Sequence, residues 1–235
     1  MVWTIVKAEF KNMFRDRMYF LFAIYPVLLG LIGYYILPEL PDGIIQDIIP
    51  MVLIVMSGFI YGALIAFTLL DDKDDNVLMS LKITPINVKA YVGVKLAVSF
   101  IFGLFATVVL IYATGFLKEA DPSIWVIMAI SILGALQAPI IALLVNSFSD
   151  NKVEGFVIMK MSGLILFFPI IGYFITGIVQ YALGIAPGFW SSRVIETQIG
   201  LDSVGNIFVI FIIGIAYNIL VTYLFMKLYS RKANL

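Results

Sequence analysis

The sequence contains neither cysteine nor histidine among its 235 residues. Without cysteine the chain can form no disulfide and no thiolate metal site. Without histidine it lacks the commonest metal ligand and the commonest base near neutral pH, so an ordinary Ser-His-Asp site cannot be built. The 15 Lys and Arg residues balance 15 Asp and Glu residues. This balance provides no overall attraction to nucleic acid.

The motifs that bind nucleotides or metals in enzymes are also missing. The sequence has no GxxxxGK[ST] phosphate loop, no GxGxxG after a strand and no HExxH. We therefore expect no catalytic residue, no metal site and no bound cofactor in this chain.

Charge is scarce and apolar residues are abundant. Charged residues make up 13% of the chain and hydrophobic residues 62%, whereas soluble domains contain about 25% charged residues. This composition predicts an integral membrane protein.

Six apolar runs are long enough to span a bilayer, because a spanning helix needs about 20 such residues. None of the runs contains Asp, Glu, Lys or Arg. They predict an all-α membrane fold with a single transmembrane domain over 1–235. The predicted spans are about 18–37, 48–70, 96–117, 123–146, 161–183 and 203–226.

Positive charge is distributed unequally between the two sides of this arrangement. The termini and the loops after the second and fourth spans contain 13 Lys and Arg residues, and the other side contains two. Since Lys and Arg are enriched in cytoplasmic loops, we expect a multi-pass plasma membrane protein with both termini in the cytoplasm.

Residues 2–17 combine an apolar stripe with basic residues on another stripe. This pattern predicts an amphipathic helix on the inner membrane face, with Lys11, Phe14, Arg15 and Asp16 in its second half. The alternative is a cytoplasmic tail that only sets topology.

The loop 71–95 concentrates charge between two apolar runs. Its pattern predicts a short amphipathic helix around Asn76–Thr84, with an aspartate cluster at its N-terminal end. Pro85 would stop this helix, because the residue before proline is disfavoured in the α region. Such a helix could transmit the movement of a soluble motor protein to the two flanking spans. The alternative is a charged loop that only fixes the membrane topology.

Two further features concern packing. Gly58-x-x-x-Gly62 in the second run allows close helix approach. The segment 184–201 contains Pro187, Trp190 and Arg193, is too short to span, and is predicted to be a partly embedded outer segment.

The uncharged spans also bear on the energy source. Ion-driven carriers usually keep ionisable residues or broken helices inside the bilayer. If the protein transports a substrate, the sequence therefore favours an energy source outside the membrane over an ion gradient.

Several of these features resemble the permease subunits of type-2 ABC transporters. Three stretches are similar to motifs of that family. They are the loop residues Leu78, Leu81, Thr84-Pro85-Ile86, Tyr91 and Lys95, the Arg15-Asp16-Arg17 entry to the first span, and Pro187-Gly188-Phe189-Trp190. One departure is the acidic stretch, which is usually Glu-rich in the family and is Asp-rich here.

The resemblance implies a permease without an ATPase site of its own. Two copies of a cytoplasmic ABC ATPase would bind ATP and Mg, and a second permease subunit, identical rather than different, would complete the transporter. The residues that contact the ATPase would be Asp74, Asp75, Asn76, Leu78, Leu81, Thr84 and Pro85. The cargo expected from the resemblance is an amphipathic peptide or a hydrophobic small molecule.

Two other functions remain open at this point. One is a membrane immunity protein that sequesters a toxic peptide without turnover. The other is an ion-driven secondary transporter that uses neutral oxygen ligands.

Overall fold

The computed structural model describes residue 7 and residues 17–40, 43–84, 87–175, 177–201 and 205–233, with side chains in the first helix described from Ile24 onward. The predicted interfacial helix therefore lies outside the described residues except at Lys7 and Arg17. Lys11, Phe14, Arg15, Asp16 and Pro85 also lie outside them.

The described residues form a helical bundle. The α-helices are α1 Arg17–Ile36, α2 Ile44–Asp74, α3 Val77–Lys82, α4 Val88–Thr114, α5 Ile124–Phe148, α6 Lys152–Ser162, α7 Phe167–Phe174, α8 Pro187–Gln198 and α9 Ile207–Lys232. Short 3₁₀ turns occupy Leu37–Glu39, Gly163–Leu166 and Ile178–Ile185.

Five helical segments are long and apolar enough to cross a membrane. They are α2, α4, α5, α9 and the continuous segment Lys152–Phe174, which joins α6 to α7. Helix α1 has 20 residues, and at 1.5 Å per residue it is about 30 Å long, the thickness of a bilayer core. The predicted all-α membrane fold is confirmed, with α1 as the sixth span.

Asparagine side chains cap the N-termini of α4, α6 and α9 and explain where these helices begin. The Asn87 side chain accepts hydrogen bonds from the backbone N–H groups of Lys89 and Ala90, so α4 begins at Val88 rather than near residue 96. Asn206 caps α9 in the same way. An asparagine in this position satisfies N–H groups that have no partner within the helix.

The fifth span differs from its predicted position, 161–183. Asn151 caps a helix that begins at Lys152, so the predicted loop between Lys152 and Lys160 is helical. The span ends at Phe174, ahead of Gly177, whose φ of 79° is incompatible with continued helix. The remaining apolar residues form the 3₁₀ turn Ile178–Ile185 and join the embedded segment instead.

Helix α5 lies at the centre of the bundle and packs closely against α2. A Cβ atom on Gly62 would lie 2.6 Å from the carbonyl oxygen of Ala138, and one on Gly58 would overlap the carbonyl oxygen of Gly134. Small residues thus face each other on both helices. The predicted close approach at Gly58-x-x-x-Gly62 is confirmed, and its partner is another helix of the same chain.

Amide side chains of α5 add hydrogen bonds across this contact. Gln137 donates to the carbonyl oxygen of Val55 at 3.0 Å, and Asn146 donates to that of Ala66 at 3.0 Å. Ser57 and Thr107 share a hydrogen bond of 2.6 Å between α2 and α4. These bonds join α2, α4 and α5 into one unit, because polar groups in lipid must find partners within the protein.

We expect Gly58→Ala to lower the free energy of unfolding by about 1–3 kcal/mol, the usual cost of overpacking a tight contact. The added methyl group meets backbone atoms of Gly134, which cannot rotate away as a side chain could. Thermal unfolding of the detergent-solubilised protein measures this effect. Gly93→Ala is the matched control, since no neighbouring atom lies within 4 Å of its new Cβ. Equal melting temperatures for the two variants would contradict the packing argument.

Candidate functional site

One end of the bundle carries most of the basic side chains, and we call it the basic end. It comprises the end of α2, α3, the start of α4, the end of α5, the start of α6 and the end of α9. Its described basic residues are Lys73, Lys82, Lys89, Lys95, Lys152, Lys160, Lys227, Arg231 and Lys232. The opposite end carries Lys118 and Arg193.

The short helix α3 lies at the basic end between two spans. Helix α2 ends at Asp74, and the Asp75 N–H donates to the carbonyl oxygen of Asp71 at 2.8 Å. Asn76 then adopts the left-handed conformation, with φ of 57°, which asparagine tolerates better than most residues. The Thr84 hydroxyl donates to the carbonyl oxygen of Leu81 at 2.7 Å just after the helix. The structure thus contains the predicted short helix, over Val77–Lys82.

The aspartate cluster is placed differently from the prediction. The residues 71–74 form the last turn of α2 rather than the N-terminal end of α3. Negative charge is unfavourable at a helix C-terminus because of the helix dipole. Lysine side chains from other elements compensate for this placement.

A buried ion pair fixes the end of α2 to α4. Lys95 Nζ lies 2.8 Å from Asp72 Oδ2, and the two side chains are 4% and 15% exposed. The Tyr91 hydroxyl donates to the same carboxylate oxygen at 2.9 Å. Lys152, at the start of α6, pairs with Asp71.

Asp150, just after α5, connects this end of the bundle to α2 and α9, because its carboxylate pairs with a lysine from each of them. Its Oδ1 lies 2.8 Å from Lys73 Nζ and 3.1 Å from Lys232 Nζ. The hydrogen bonds from Lys73 and Lys232, reinforced by their positive charge, hold the pKa of Asp150 below its usual range. Lys232 also donates to the carbonyl oxygen of Ser149 at 2.8 Å.

We call the residues Asp71, Asp72, Lys73, Lys95, Asp150, Lys152 and Lys232 the ionic clamp. An exposed pair within it contributes little by itself, whereas the buried Lys95–Asp72 pair constrains the geometry strongly. The clamp connects the ends of α2, α4, α5, α6 and α9.

The two faces of α3 have different environments. Leu78 is 6% exposed and anchors the helix to the bundle, and Leu81 is half-buried beside it. Met79 and Ile83 project from the opposite face and are 63% and 90% exposed. The sequence analysis missed these two residues, although their i, i+4 spacing places them on one face of a helix.

The predicted embedded segment is present at the opposite end of the bundle. Pro187 is the first residue of α8, and Trp190 donates its indole N–H to the carbonyl oxygen of Gly184 at 3.0 Å. A Cβ atom on Gly188 would meet Val55 and Gln137. Because Gln137 lies near the middle of α5, α8 penetrates deeply into the bundle.

Arg193 holds this segment together from inside. Its guanidinium group lies 2.7 Å from a Glu196 carboxylate oxygen, and both side chains are 2% exposed. It also donates to Gln180 Oε1 at 2.7 Å. The structure thus separates the predicted residues into two groups, one on α3 and its flanking turns and one on α8.

Comparison with known protein families matches residues 9–226 to the family described as "Fluoroquinolones export permease protein Rv2686c-like". The chain belongs to this family. The predicted resemblance to an export permease family is therefore confirmed over nearly the whole chain.

Two curated relatives in the fluoroquinolone export permease family are similar over a shorter stretch. They are the "Fluoroquinolones export permease protein Rv2686c" of Mycobacterium tuberculosis strain H37Rv and the corresponding protein MT2760 of strain CDC 1551. Each is 26% identical over 164 residues, which is 69% of this chain and 60% of the relative. The aligned part thus spans about three-fifths of the relatives' length. No solved structure matches the chain.

Proposed function

We propose that the protein is the membrane-spanning subunit of an ATP-driven exporter of hydrophobic or amphipathic small molecules. The names of its relatives favour a fluoroquinolone-like drug as cargo over the amphipathic peptide that the sequence also allowed. ATP and Mg would bind to a separate cytoplasmic ABC ATPase, present in two copies. A second copy of this chain would complete the membrane part.

The observation that supports this proposal best is the exposed apolar pair Met79 and Ile83. They project from the short helix α3 and the residue that follows it, which Leu78 anchors to the bundle next to the charged end of α2. Exposed apolar residues rimmed by charge are typical of protein contacts. In this proposal the basic end faces the cytoplasm, and α3 is the coupling helix that docks into the ATPase.

The ionic clamp gives the coupling helix its mechanical role. A docked ATPase would move α3, and the clamp would pass that movement to α2, α4 and α9 together. Since the spanning segments contain little charge except at their ends, the ATPase rather than an ion gradient would supply the energy.

The proposal is tested by purifying the tagged protein gently from its native membrane and identifying its companions by mass spectrometry. We expect a stoichiometric soluble chain that carries GxxxxGK[ST]. Cells that contain both chains should accumulate less of a fluorescent fluoroquinolone than cells without them. Export that persists after ATP depletion but stops when the ion gradient collapses would favour the secondary transporter. Protection from a toxic peptide without any ATPase partner would favour sequestration.

A further inference from the structure

We propose that an anionic glycerophospholipid binds through its phosphate group at the basic end, in a groove between α4 and α9. The groove has a volume of about 380 Å³. Lys89 of α4 lines one side, and Tyr223, Met226, Lys227, Ser230 and Arg231 of α9 line the other. This proposal stands on the structure of the groove and does not require the proposed function.

The α9 residues of the groove form one continuous stripe. They follow one another at intervals of three, one, three and one residues, the pattern that places side chains on a single helix face. Tyr229, next to the groove on α9, belongs to the same apolar cluster as Val92 and Leu96 of α4. The groove is therefore a shallow cleft that α4 and α9 line from two sides.

Among the described residues, no carboxylate lies beside three cations of the groove. Lys89, Lys227 and Arg231 form no ion pair with any described residue, and no described carboxylate lines the groove. The nearby lysines Lys73, Lys95, Lys152 and Lys232 are all paired within the ionic clamp. The groove thus presents concentrated positive charge, together with the Ser230 hydroxyl as a further hydrogen-bond donor.

The position and shape of the groove favour a lipid over a soluble anion. Lys89 lies in the first turn of α4 and Arg231 in the last turn of α9, both at the ends of apolar spans. Tyr223 and Met226 supply an apolar floor on the membrane side, beside the exposed side chain of Leu224. A phosphate group could contact the cations while the glycerol and acyl chains lie along α9. Basic pockets between spanning helices are suited to anionic headgroups.

Neutral lipids fit this groove less well. The positively charged choline group of phosphatidylcholine would add a cation beside Lys89, Lys227 and Arg231. Phosphatidylglycerol has the same phosphate without that group. We therefore expect phosphatidylglycerol to bind more tightly than phosphatidylcholine.

The test is native mass spectrometry of the full chain in detergent, titrated with phosphatidylglycerol, phosphatidylcholine or glycerol phosphate. We expect Lys227→Gln to weaken phosphatidylglycerol binding about fivefold, the factor that corresponds to about 1 kcal/mol per basic residue near an anionic surface. Arg231→Gln should have a similar effect, and Arg231→Lys should restore most of the binding.

Lys160→Gln is the matched control, because Lys160 is an exposed basic residue of α6 that lies outside the groove. It should change the affinity by less than twofold. An equal loss in Lys160→Gln and Lys227→Gln would overturn the site in favour of diffuse surface charge. Equal affinity for phosphatidylcholine would overturn headgroup recognition, and glycerol phosphate binding as tightly as the lipid would overturn the lipid assignment.

Discussion

Drug export should fall at least about tenfold when Met79 and Ile83 are both replaced by aspartate, while the bundle stays folded. Both side chains are largely exposed, so the substitutions remove few contacts among the described residues. In a docked complex, however, each carboxylate would be buried without a partner, which is costly. Residues at the centre of an interface often contribute about 2 kcal/mol, a factor of about 30 in affinity. Drug-stimulated ATPase activity of the purified complex measures the effect.

Ser80→Asp is the matched control for this variant. Ser80 is exposed on α3, and its hydroxyl donates to the carbonyl oxygen of Asn76 within its own turn. The control adds one negative charge, half of the charge added by the double variant, to the same short helix without changing the apolar pair. If Met79→Asp/Ile83→Asp retained full export and ATPase coupling, α3 would not be the docking element. Copurification of the ATPase with the unaltered chain would then still support the transporter itself.

Glu196→Met should lower the free energy of unfolding by about 3–5 kcal/mol, the usual consequence of leaving one member of a buried ion pair alone. The Glu196 carboxylate lies 2.7 Å from the Arg193 guanidinium group, and water reaches neither side chain appreciably. Removing it leaves a buried positive charge between α8 and the spans around it. The melting temperature of the detergent-solubilised protein and its recovery as a single species report the loss.

The double variant Arg193→Met/Glu196→Met separates charge from packing. It removes both charges and keeps similar side-chain volumes, so we expect it to be clearly more stable than Glu196→Met alone. Gln180 loses a partner in the double variant, since it accepts from Arg193 at 2.7 Å. The rescue should therefore be partial. A double variant less stable than the single one would show that Arg193 stabilises the segment mainly through contacts other than Glu196.

The spans could be predicted from hydropathy, but their ends could not. Uninterrupted apolar runs mark the part of a helix that lies in lipid, whereas helices α4 and α6 continue beyond it. A better local signal was present in Asn151-x-x-Glu154, where Asn151 accepts from the Glu154 N–H at 3.0 Å and donates to its carboxylate. This is a variant of the capping box, in which the Glu154 carboxylate accepts from the Asn151 amide and from the backbone N–H of Asp150 rather than from the backbone N–H of the cap residue. Reading it would have placed the start of the fifth span at Lys152.

The candidate site was predicted in its location but not in its orientation. The sequence indicated a short helix near Leu78, and the structure contains it. Periodicity over six residues could not determine that Leu78 faces the bundle while Met79 and Ile83 face outward. The ionic clamp could not be predicted from the sequence either, because Asp72 pairs with Lys95 and Asp150 with Lys232 only after distant helices pack together. Such pairings depend on tertiary structure and leave no local pattern.

The 3₁₀ turn Gly163–Leu166 keeps one side of the fifth span turned outward from the bundle where α6 joins α7. Met161, Leu164 and Phe167 are all exposed and follow one another at intervals of three residues. In an α-helix two such steps would carry them about 120° around the axis. Four residues wound at three per turn add about 80° of rotation and offset most of that drift. The tighter winding therefore straightens this exposed stripe, and inserting one residue there would turn all of α7 by about a third of a revolution.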